Sequence, residues 1–264
     1  MRILICNDDG IYAPGIAALV HEVADLGEIA IVAPDSPQSA MAHSITITDP
    51  LIVQQVNLPG EHGYQGISVT GRPADCVRLA VRDLLTYKPD LMLSGINAGE
   101  NSGINIFYSG TVAAAAEAAM NRIPAVAFSM QMPKDKSHAN FTQAAKHCRE
   151  VLDKLLEKGL APSSLTNVNI PDLTRYTKPA GIVVCDQSDA DVDDHYHRSQ
   201  TPEGLDQYEI VDCFSFIDPH HASDVALMGA GYITVTPLLT NLTNHQRIEN
   251  LREVFPLKGS AKNS

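Results

Sequence analysis

Positive charge is scarce in this 264-residue chain: 19 lysines and arginines face 31 aspartates and glutamates, a formal net charge of −12. A surface of that sign repels phosphate backbones and anionic lipid headgroups, so neither a nucleic-acid nor a membrane partner is expected. An anion that does bind needs a local positive field, from a metal ion or from helix N-termini. Cysteines are few and unpaired in pattern: Cys6, Cys76, Cys148, Cys185 and Cys213 are odd in number and scattered, with no CxxC and no zinc-like Cys/His spacing. They read as buried thiols in a reducing compartment. No apolar run approaches the ~18 residues that span a bilayer. The opening apolar stretch meets Asn7-Asp8-Asp9 too soon for a signal peptide, so the expected location is cytoplasmic.

Several catalytic signatures are also missing. There is no G-x-x-x-x-G-K-[ST] loop and no G-x-G-x-x-G after the first strand, which removes the main support for P-loop NTPase and dinucleotide-binding readings. Without a G-x-S-x-G elbow a serine hydrolase is weakened too. Asp189-x-Asp191-x-Asp193-Asp194 begins like a calcium loop, but Asp194 replaces the needed glycine and Gln200 stands where the bidentate glutamate belongs. It reads as a solvated acidic loop, and His195, His197, His220 and His221 as surface histidines in polar loops.

What remains is a globular composition, 44% hydrophobic, arranged in a strand and helix rhythm. Residues 3–6 form a short apolar run suited to a parallel strand, stopped by Asn7-Asp8-Asp9-Gly10. Ile16, Leu19, Val20, Val23 and Leu26 then follow helical spacing, and residues 29–33 form a second strand. This is a strand-helix-strand unit of the doubly wound kind. β-rich segments at 45–48, 51–53 and 66–69 predict an antiparallel insertion. A helix over about 74–85, a strand over 91–94, a long polar loop over 95–109, a helix over 111–120 and a strand over 125–128 follow. An amphipathic helix is expected over 141–156. Beyond 180 the pattern predicts strands at 181–185, 208–216 and 232–235, one helix near 244–253, and a disordered tail at 258–264. The expected division is an α/β catalytic core over 1–180 and a β-rich C-terminal extension over 181–264 that is not an independent domain.

In a doubly wound sheet, ligands bind beyond the carboxyl ends of the strands, near the point where strand order reverses. Asp8-Asp9 after the first strand, the Ser39 loop after the second and Asn97 after the strand at 91–94 would all face one crevice. Adjacent carboxylates repel, and a divalent cation is the usual way to keep both ionised. Carboxylate, hydroxyl and amide oxygens suit a hard ion, Mg²⁺ or Mn²⁺. Each residue also has a plainer reading: Asp8-Asp9-Gly10 and Asn97 as turns, Ser39 as an ordinary loop serine. Ser109-Gly110-Thr111 precedes an alanine-rich helix, where free N–H groups and the helix dipole attract an anion, or where a serine or threonine simply caps the helix.

The ordered set of segments resembles the survival protein E (SurE) family of metal-dependent nucleotidases. It comprises Asn7-Asp8-Asp9-Gly10, Gln38-Ser39, His43-Ser44, Gly71-x-Pro73-Ala74-Asp75-Cys76-Val77, Ser94-Gly95-Ile96-Asn97 and Tyr108-Ser109-Gly110-Thr111-Val112, with later echoes at 167–171 and 231–238. The resemblance implies a Rossmann-like, three-layer doubly wound fold whose C-terminal extension is exchanged between subunits of a homodimer or homotetramer. It implies removal of phosphate from nucleoside monophosphates at the 5′ and often the 3′ position, and in some members hydrolysis of short polyphosphate. It implies one divalent cation per subunit held by Asp8, Asp9, Ser39 and Asn97, with Asp8 and Asp9 catalytic and Ser109, Gly110 and Thr111 beside the substrate phosphate. The chain departs from the family pattern at Arg72 and at Asn241, in a late segment that retains His245, the candidate proton donor.

Two rivals follow from the same residues. A phosphatase forming an aspartyl-phosphate, as in the haloacid dehalogenase class, needs D-x-D after the first strand, and this chain has adjacent aspartates. A non-catalytic nucleotide sensor would use the same crevice without turnover.

Overall fold

The first strand, β1 (Arg2–Cys6), is buried along its apolar residues and ends where Asn7, Asp8 and Asp9 turn the chain. Gly10 sits at φ +97°, a conformation that favours glycine, and lets the Ile11 N–H reach the carbonyl of Pro34 at 2.8 Å. Helix α1 (Pro14–Val23) starts with proline in its first turn, where the missing N–H costs nothing, and buries Ile16, Leu19, Val20 and Val23. A 3₁₀ turn, Ala24–Leu26, continues it to Gly27. Strand β2 (Glu28–Pro34) then lies parallel to β1. The computed structural model describes residues 1–60, 63–211 and 215–255.

Strands β3 (Val53–Asn57) and β4 (Gln65–Val69) pair antiparallel with each other, and β4 joins β2 in parallel. Helix α2 (Pro73–Leu79) runs on through a π turn at Ala80–Leu84. Strand β5 (Leu91–Ala98), helix α3 (Gly110–Met120) and strand β6 (Ala125–Met130) follow, then helix α4 (Phe141–Lys158) and strand β7 (Leu165–Ile170). After residue 180 come β8 (Ile182–Val184), β9 (His195–Gln200), β10 (Asp206–Val211), α5 (Asp224–Gly229), β11 (Ile233–Leu238) and α6 (His245–Val254).

Nine strands form one mixed sheet in the order β3-β4-β2-β1-β5-β6-β7-β11-β8. The run from β4 to β7 is parallel, β11 is antiparallel to β7, and β8 is parallel to β11. Helix α1 packs beside α4, and α2 beside α3, giving a three-layer α/β architecture of the doubly wound class. The chain leaves β1 for β2 on one side and returns with β5 on the other, so strand order reverses between β1 and β5. Two strands that follow residue 180 belong to this sheet, whereas β9 and β10 form a separate exposed hairpin.

Several expected elements differ. Residues 45–48 form no strand because Thr46 gives its N–H and its hydroxyl to the Asp75 carboxylate rather than to a ladder. The strand expected at 51–53 begins at Val53. The loop expected over 95–109 is shorter: β5 continues to Ala98, with a register shift between Ser94 and Asn97, and Gly103–Phe107 is a 3₁₀ turn. β7 reads poorly because Thr166, Asn167 and Asn169 punctuate it, yet all three are buried. The loop after β5 binds two of them: the Asn167 Nδ2 donates to the Asn101 carbonyl at 2.7 Å, and Asn169 accepts from the Asn101 N–H at 2.8 Å. His195 and His197 lie on a strand rather than in a loop, and α5 adds a helix where none is expected. Cys6, Cys76, Cys148 and Cys185 are buried and unpaired. Cys213, residues 212–214 of the strand expected at 208–216, and the tail at 258–264 lie outside the described residues.

Candidate metal and phosphate site

Three loops at the carboxyl ends of β1, β2 and β5 meet in a crevice of about 780 Å³. Asp8 and Asp9 line it from β1, Ser39 from the loop after β2, and Asn97 from the end of β5, with Ser109 at the mouth of α3. The loops are tied together by backbone bonds: Gln38 N–H donates to the Asp8 carbonyl at 2.7 Å, and Ala42 N–H to the Tyr108 carbonyl at 3.0 Å. Arg72 steadies the same loop by donating to the Ser44 hydroxyl at 3.0 Å.

Asp8 is buried and pinned by α3. The Thr111 N–H donates to Oδ2 at 3.1 Å and the Thr111 hydroxyl donates to Oδ1. Gly110 makes this approach feasible, since a Cβ there would stand 2.8 Å from the Asp8 Cβ and 3.0 Å from its Oδ2. Burial raises the Asp8 carboxyl from 3.8 to about 6, against the Thr111 hydrogen bond and with repulsion from Asp9 adding to the rise. Burial also raises Asp9, while the Ala98 N–H, donating to Oδ2 at 2.9 Å, works the other way. The Asn97 Nδ2 donates to the Gly99 carbonyl at 2.7 Å, which leaves Oδ1 as its acceptor end.

This donor set fits a divalent cation. It offers two carboxylates, a hydroxyl and an amide oxygen, with no cysteine or histidine among the lining residues, which matches a hard ion. Burial disfavours the charge on both Asp8 and Asp9, and their adjacency adds to this at Asp8; a cation bound between them would offset that cost.

The remaining predicted residues divide. Ser109 lines the crevice and caps α3, its hydroxyl accepting from the Val112 N–H at 3.1 Å. Gly110 lies against Asp8, and Thr111 is fully buried with its hydroxyl spent on Asp8, so it serves the carboxylate rather than lining the crevice. His245 is exposed at the start of α6 and does not line its own chain's crevice. Asn241 lines a different, more apolar cavity of about 530 Å³ between α3 and the segment after β11, which shares only Ser109 with the crevice. Lys134 and Lys136, in the segment after β6, also line the crevice, although no motif in the sequence marks them. Their signal in the sequence is only their position past the carboxyl end of a sheet strand.

Comparison with known proteins gives a consistent result. The family model described as "Survival protein SurE" matches residues 3–194. A protein of Christiangramia forsetii named 5′-nucleotidase SurE is 41% identical over 250 residues, covering 94% of this chain and 95% of its own. One of Heliobacterium modesticaldum, with the same name, is 38% identical over 253 residues, covering 96% and 91%. The crystal structure of the SurE protein from Aquifex aeolicus superposes with a TM-score of 0.81 at 36% identity, covering 97% of this chain and all of that one. With the family model spanning both aspartates, Ser39, Asn97 and the α3 N-terminus, and relatives about 40% identical over more than nine-tenths of the chain, the chain belongs to the SurE family.

Proposed function

We propose that this chain is a metal-dependent 5′-nucleotidase that hydrolyses nucleoside monophosphates to nucleoside and phosphate. The observation that carries the reading is the convergence of Asp8, Asp9, Ser39, Asn97 and Ser109 on one crevice beyond the switch point of the sheet. Relatives aligned over nearly the whole chain carry the name 5′-nucleotidase. Activity at the 3′ position and on short polyphosphate is part of the same proposal.

Asp8, Asp9, Ser39 and Asn97 are assigned to one Mg²⁺ or Mn²⁺ per subunit, which when bound polarises a phosphoryl oxygen and eases ionisation of water. Ser109 and the N-terminus of α3, with the Gly110 N–H, hold the other phosphoryl oxygens and neutralise charge that develops on them. Thr111 and Gly110 keep Asp8 in place. Asp9, fixed through one oxygen by Ala98, orients the attacking water with the other.

The assembly is proposed as a homodimer or homotetramer built through the extension at 181–264. Tyr196, Tyr208 and Ile210 on the hairpin and Leu239, Leu242 and Phe255 beyond β11 are exposed, and a lone two-stranded hairpin is marginal in water. His245 is assigned to the leaving-group proton within that assembly. No helix among the described residues is long and apolar enough to cross a membrane. A cytoplasmic location is proposed with the buried, unpaired cysteines in support.

Phosphate release from 5′- and 3′-nucleoside monophosphates by metal-stripped protein, with and without Mn²⁺ or Mg²⁺, tests the reading. Release restored by metal, and abolished in folded Asp8→Asn and Asp9→Asn proteins, is the expected result. Tight nucleotide binding without release at any metal concentration would overturn it in favour of a sensor. Labelled phosphate trapped on the protein in rapid quench would overturn direct attack by water.

A further inference from the structure

Gly103 opens the 3₁₀ turn Gly103–Phe107, which leads through Tyr108 and Ser109 into α3. Asn105, Tyr108 and Ser109, from the turn and its exit, line the crevice. The turn is gripped at that glycine by residues from the chain beyond 180. The Gly103 N–H donates to Asp224 Oδ2 at 2.9 Å, and its carbonyl accepts from Gln187 Nε2 at 2.9 Å. Phe216 and Val225 close the remaining side: a Cβ on Gly103 would stand 2.6 Å from the Phe216 Cε1 and 3.2 Å from the Val225 Cγ2. Ser215, next to Phe216, lines the crevice itself.

Asp224 is completely buried, and its other oxygen, Oδ1, accepts from the Ser188 N–H at 2.9 Å and the Val225 N–H at 2.8 Å. Burial raises its carboxyl, and the bonds from Gly103, Ser188 and Val225 work against the rise. Starting α5 does not require this buried acid, because Ser223 caps the helix by accepting from the Ala226 N–H at 3.4 Å. What the acid adds is the bond to the loop beside the crevice. The first half of that loop is held differently. The Gly99 N–H donates to the Met130 carbonyl at 2.9 Å, the Asn101 N–H to Asn169 at 2.8 Å, and the Asn101 Nδ2 to the Ser129 hydroxyl at 2.8 Å. Residues 97–101, with Asn97, are thus fixed on the sheet, whereas the turn that follows is fixed by the chain after 180.

We propose that Asp224 and Gln187 are positioning residues, which through Gly103 hold the turn that brings Asn105, Tyr108 and Ser109 to the crevice and so set the end of the site assigned to the phosphoryl group. This rests on the nucleotidase reading and deepens it. Ser109 is assigned to charge that develops on the phosphoryl oxygens during reaction, so its displacement lowers kcat more than it raises KM. The ion assigned to Asp8, Asp9, Ser39 and Asn97 is untouched, because Asn97 belongs to the half of the loop held by the sheet.

The test compares kcat and KM for adenosine 5′-monophosphate over a Mn²⁺ series in wild-type, Asp224→Asn, Gln187→Met and Ser223→Ala proteins of full length. In Asp224→Asn the amide oxygen takes the side with two donors, Ser188 and Val225, and its NH₂ then faces the Gly103 N–H. Gln187→Met keeps the length of the side chain and removes the donor, while Ser223→Ala weakens α5 without touching Gly103. The expected result is a kcat lowered about tenfold in Asp224→Asn and about threefold in Gln187→Met, at an unchanged half-saturating Mn²⁺ concentration. Ser223→Ala should melt earlier and keep the wild-type kcat. Unchanged kcat in both clamp variants, an equal loss of kcat in Ser223→Ala, or a Mn²⁺ requirement that rises as far as kcat falls would overturn the proposal. If Asp224→Asn does not fold, Gln187→Met decides by the same criteria. Amide hydrogen exchange is read in parallel, and both clamp variants should exchange faster over 103–109 and no faster over 97–101. Absence of turnover in the wild type would sink the nucleotidase reading and still leave the clamp decided, since unchanged exchange over 103–109 in both variants would overturn it.

Discussion

Thr111 holds both oxygens of Asp8, its backbone N–H donating to Oδ2 at 3.1 Å and its hydroxyl to Oδ1. The residue that the sequence places beside a substrate phosphate supports the carboxylate proposed as a metal ligand, and α3 therefore bears on the crevice in two ways. Its N-terminus, with Ser109, faces the crevice proposed to take the phosphate, and its second residue fixes the Asp8 carboxylate. Thr111→Val keeps the shape and the backbone bond but removes the hydroxyl. A hydrogen bond to a charged group contributes roughly 1.5–3 kcal/mol, so metal affinity should fall about tenfold or more. Calorimetric titration with Mn²⁺ reads this directly; unchanged affinity would mean that the hydroxyl is not positioning Asp8.

Gly110→Ala opposes two effects. Alanine inside a helix is favoured over glycine by about 1 kcal/mol. The new Cβ, however, would stand 2.8 Å from the Asp8 Cβ and 3.0 Å from its Oδ2 and also 3.0 Å from the Pro73 ring. These contacts lie within a packed interior that yields little, so the steric effect wins. Phosphate release should fall at least about tenfold, with no gain in thermal stability; a more stable and fully active variant would show that the approach of α3 to Asp8 is looser than described.

The raised Asp8 carboxyl has a definite consequence for stability. Its folded value of about 6 lies above the ordinary 3.8, so the folded chain holds this proton more tightly than the unfolded one. The contribution is fully present below pH about 4 and is lost as pH rises through about 6, a change on the order of 3 kcal/mol. Metal-stripped wild type should therefore be less stable than Asp8→Asn at pH 7–8, and the difference should vanish near pH 4. Mn²⁺ should stabilise the wild type and leave the variant nearly unchanged. Thermal unfolding at both pH values, with and without the ion, checks each statement.

The loop that carries Ser39 is latched to α3 through His43, whose Nε2 lies 3.1 Å from Glu117 Oε2. Glu117 is also 3.6 Å from Arg78 and accepts from Asn121 at 3.3 Å. Burial opposes its ionisation, but the bond and charge of His43 and the charge of Arg78 prevail and leave its carboxyl below the usual glutamate value. Such a depressed carboxyl contributes stability above the ordinary value of 4.5 that is lost as pH falls through the folded one. His43→Ala should raise the Mn²⁺ concentration needed for half-maximal phosphate release by about threefold to tenfold, with a smaller effect at saturating ion, because it loosens Ser39 without removing it. An unchanged metal requirement would show that the remaining backbone ties hold the loop by themselves.

Much of the site was legible because its residues follow strand ends. Asp8, Asp9 and Asn97 close apolar strands, Ser39 lies in the loop beyond the Pro34 end of β2, and Ser109 caps an alanine-rich helix; each is a local signal tied to hydrogen-bonding geometry or to the end of a hydrophobic run. What local pattern missed are the places where a distant group settles a residue's fate. Residues 45–48 look like a strand until the Asp75 carboxylate takes the Thr46 N–H. β7 carries polar residues that give no strand signal, and it is buried where the Asn101 backbone bonds to the Asn167 Nδ2 and the Asn169 Oδ1. Lys134 and Lys136 look like an ordinary solvated loop until the sheet order puts the end of β6 beside that of β5.

By itself the sequence determined the α/β rhythm, the acidic surface, the oxygen-rich donor set and the family resemblance, because all of these depend on residue type and near-neighbour spacing. Only the tertiary structure decided that Thr111 supports Asp8, that Asn241 faces a separate apolar cavity and that His245 stands away from its own chain's crevice. It also decided that two lysines share the wall of the crevice with Asp8 and Asp9. Each of these depends on which strands become neighbours, and strand order is set by burial across the whole sheet rather than by any segment of the chain.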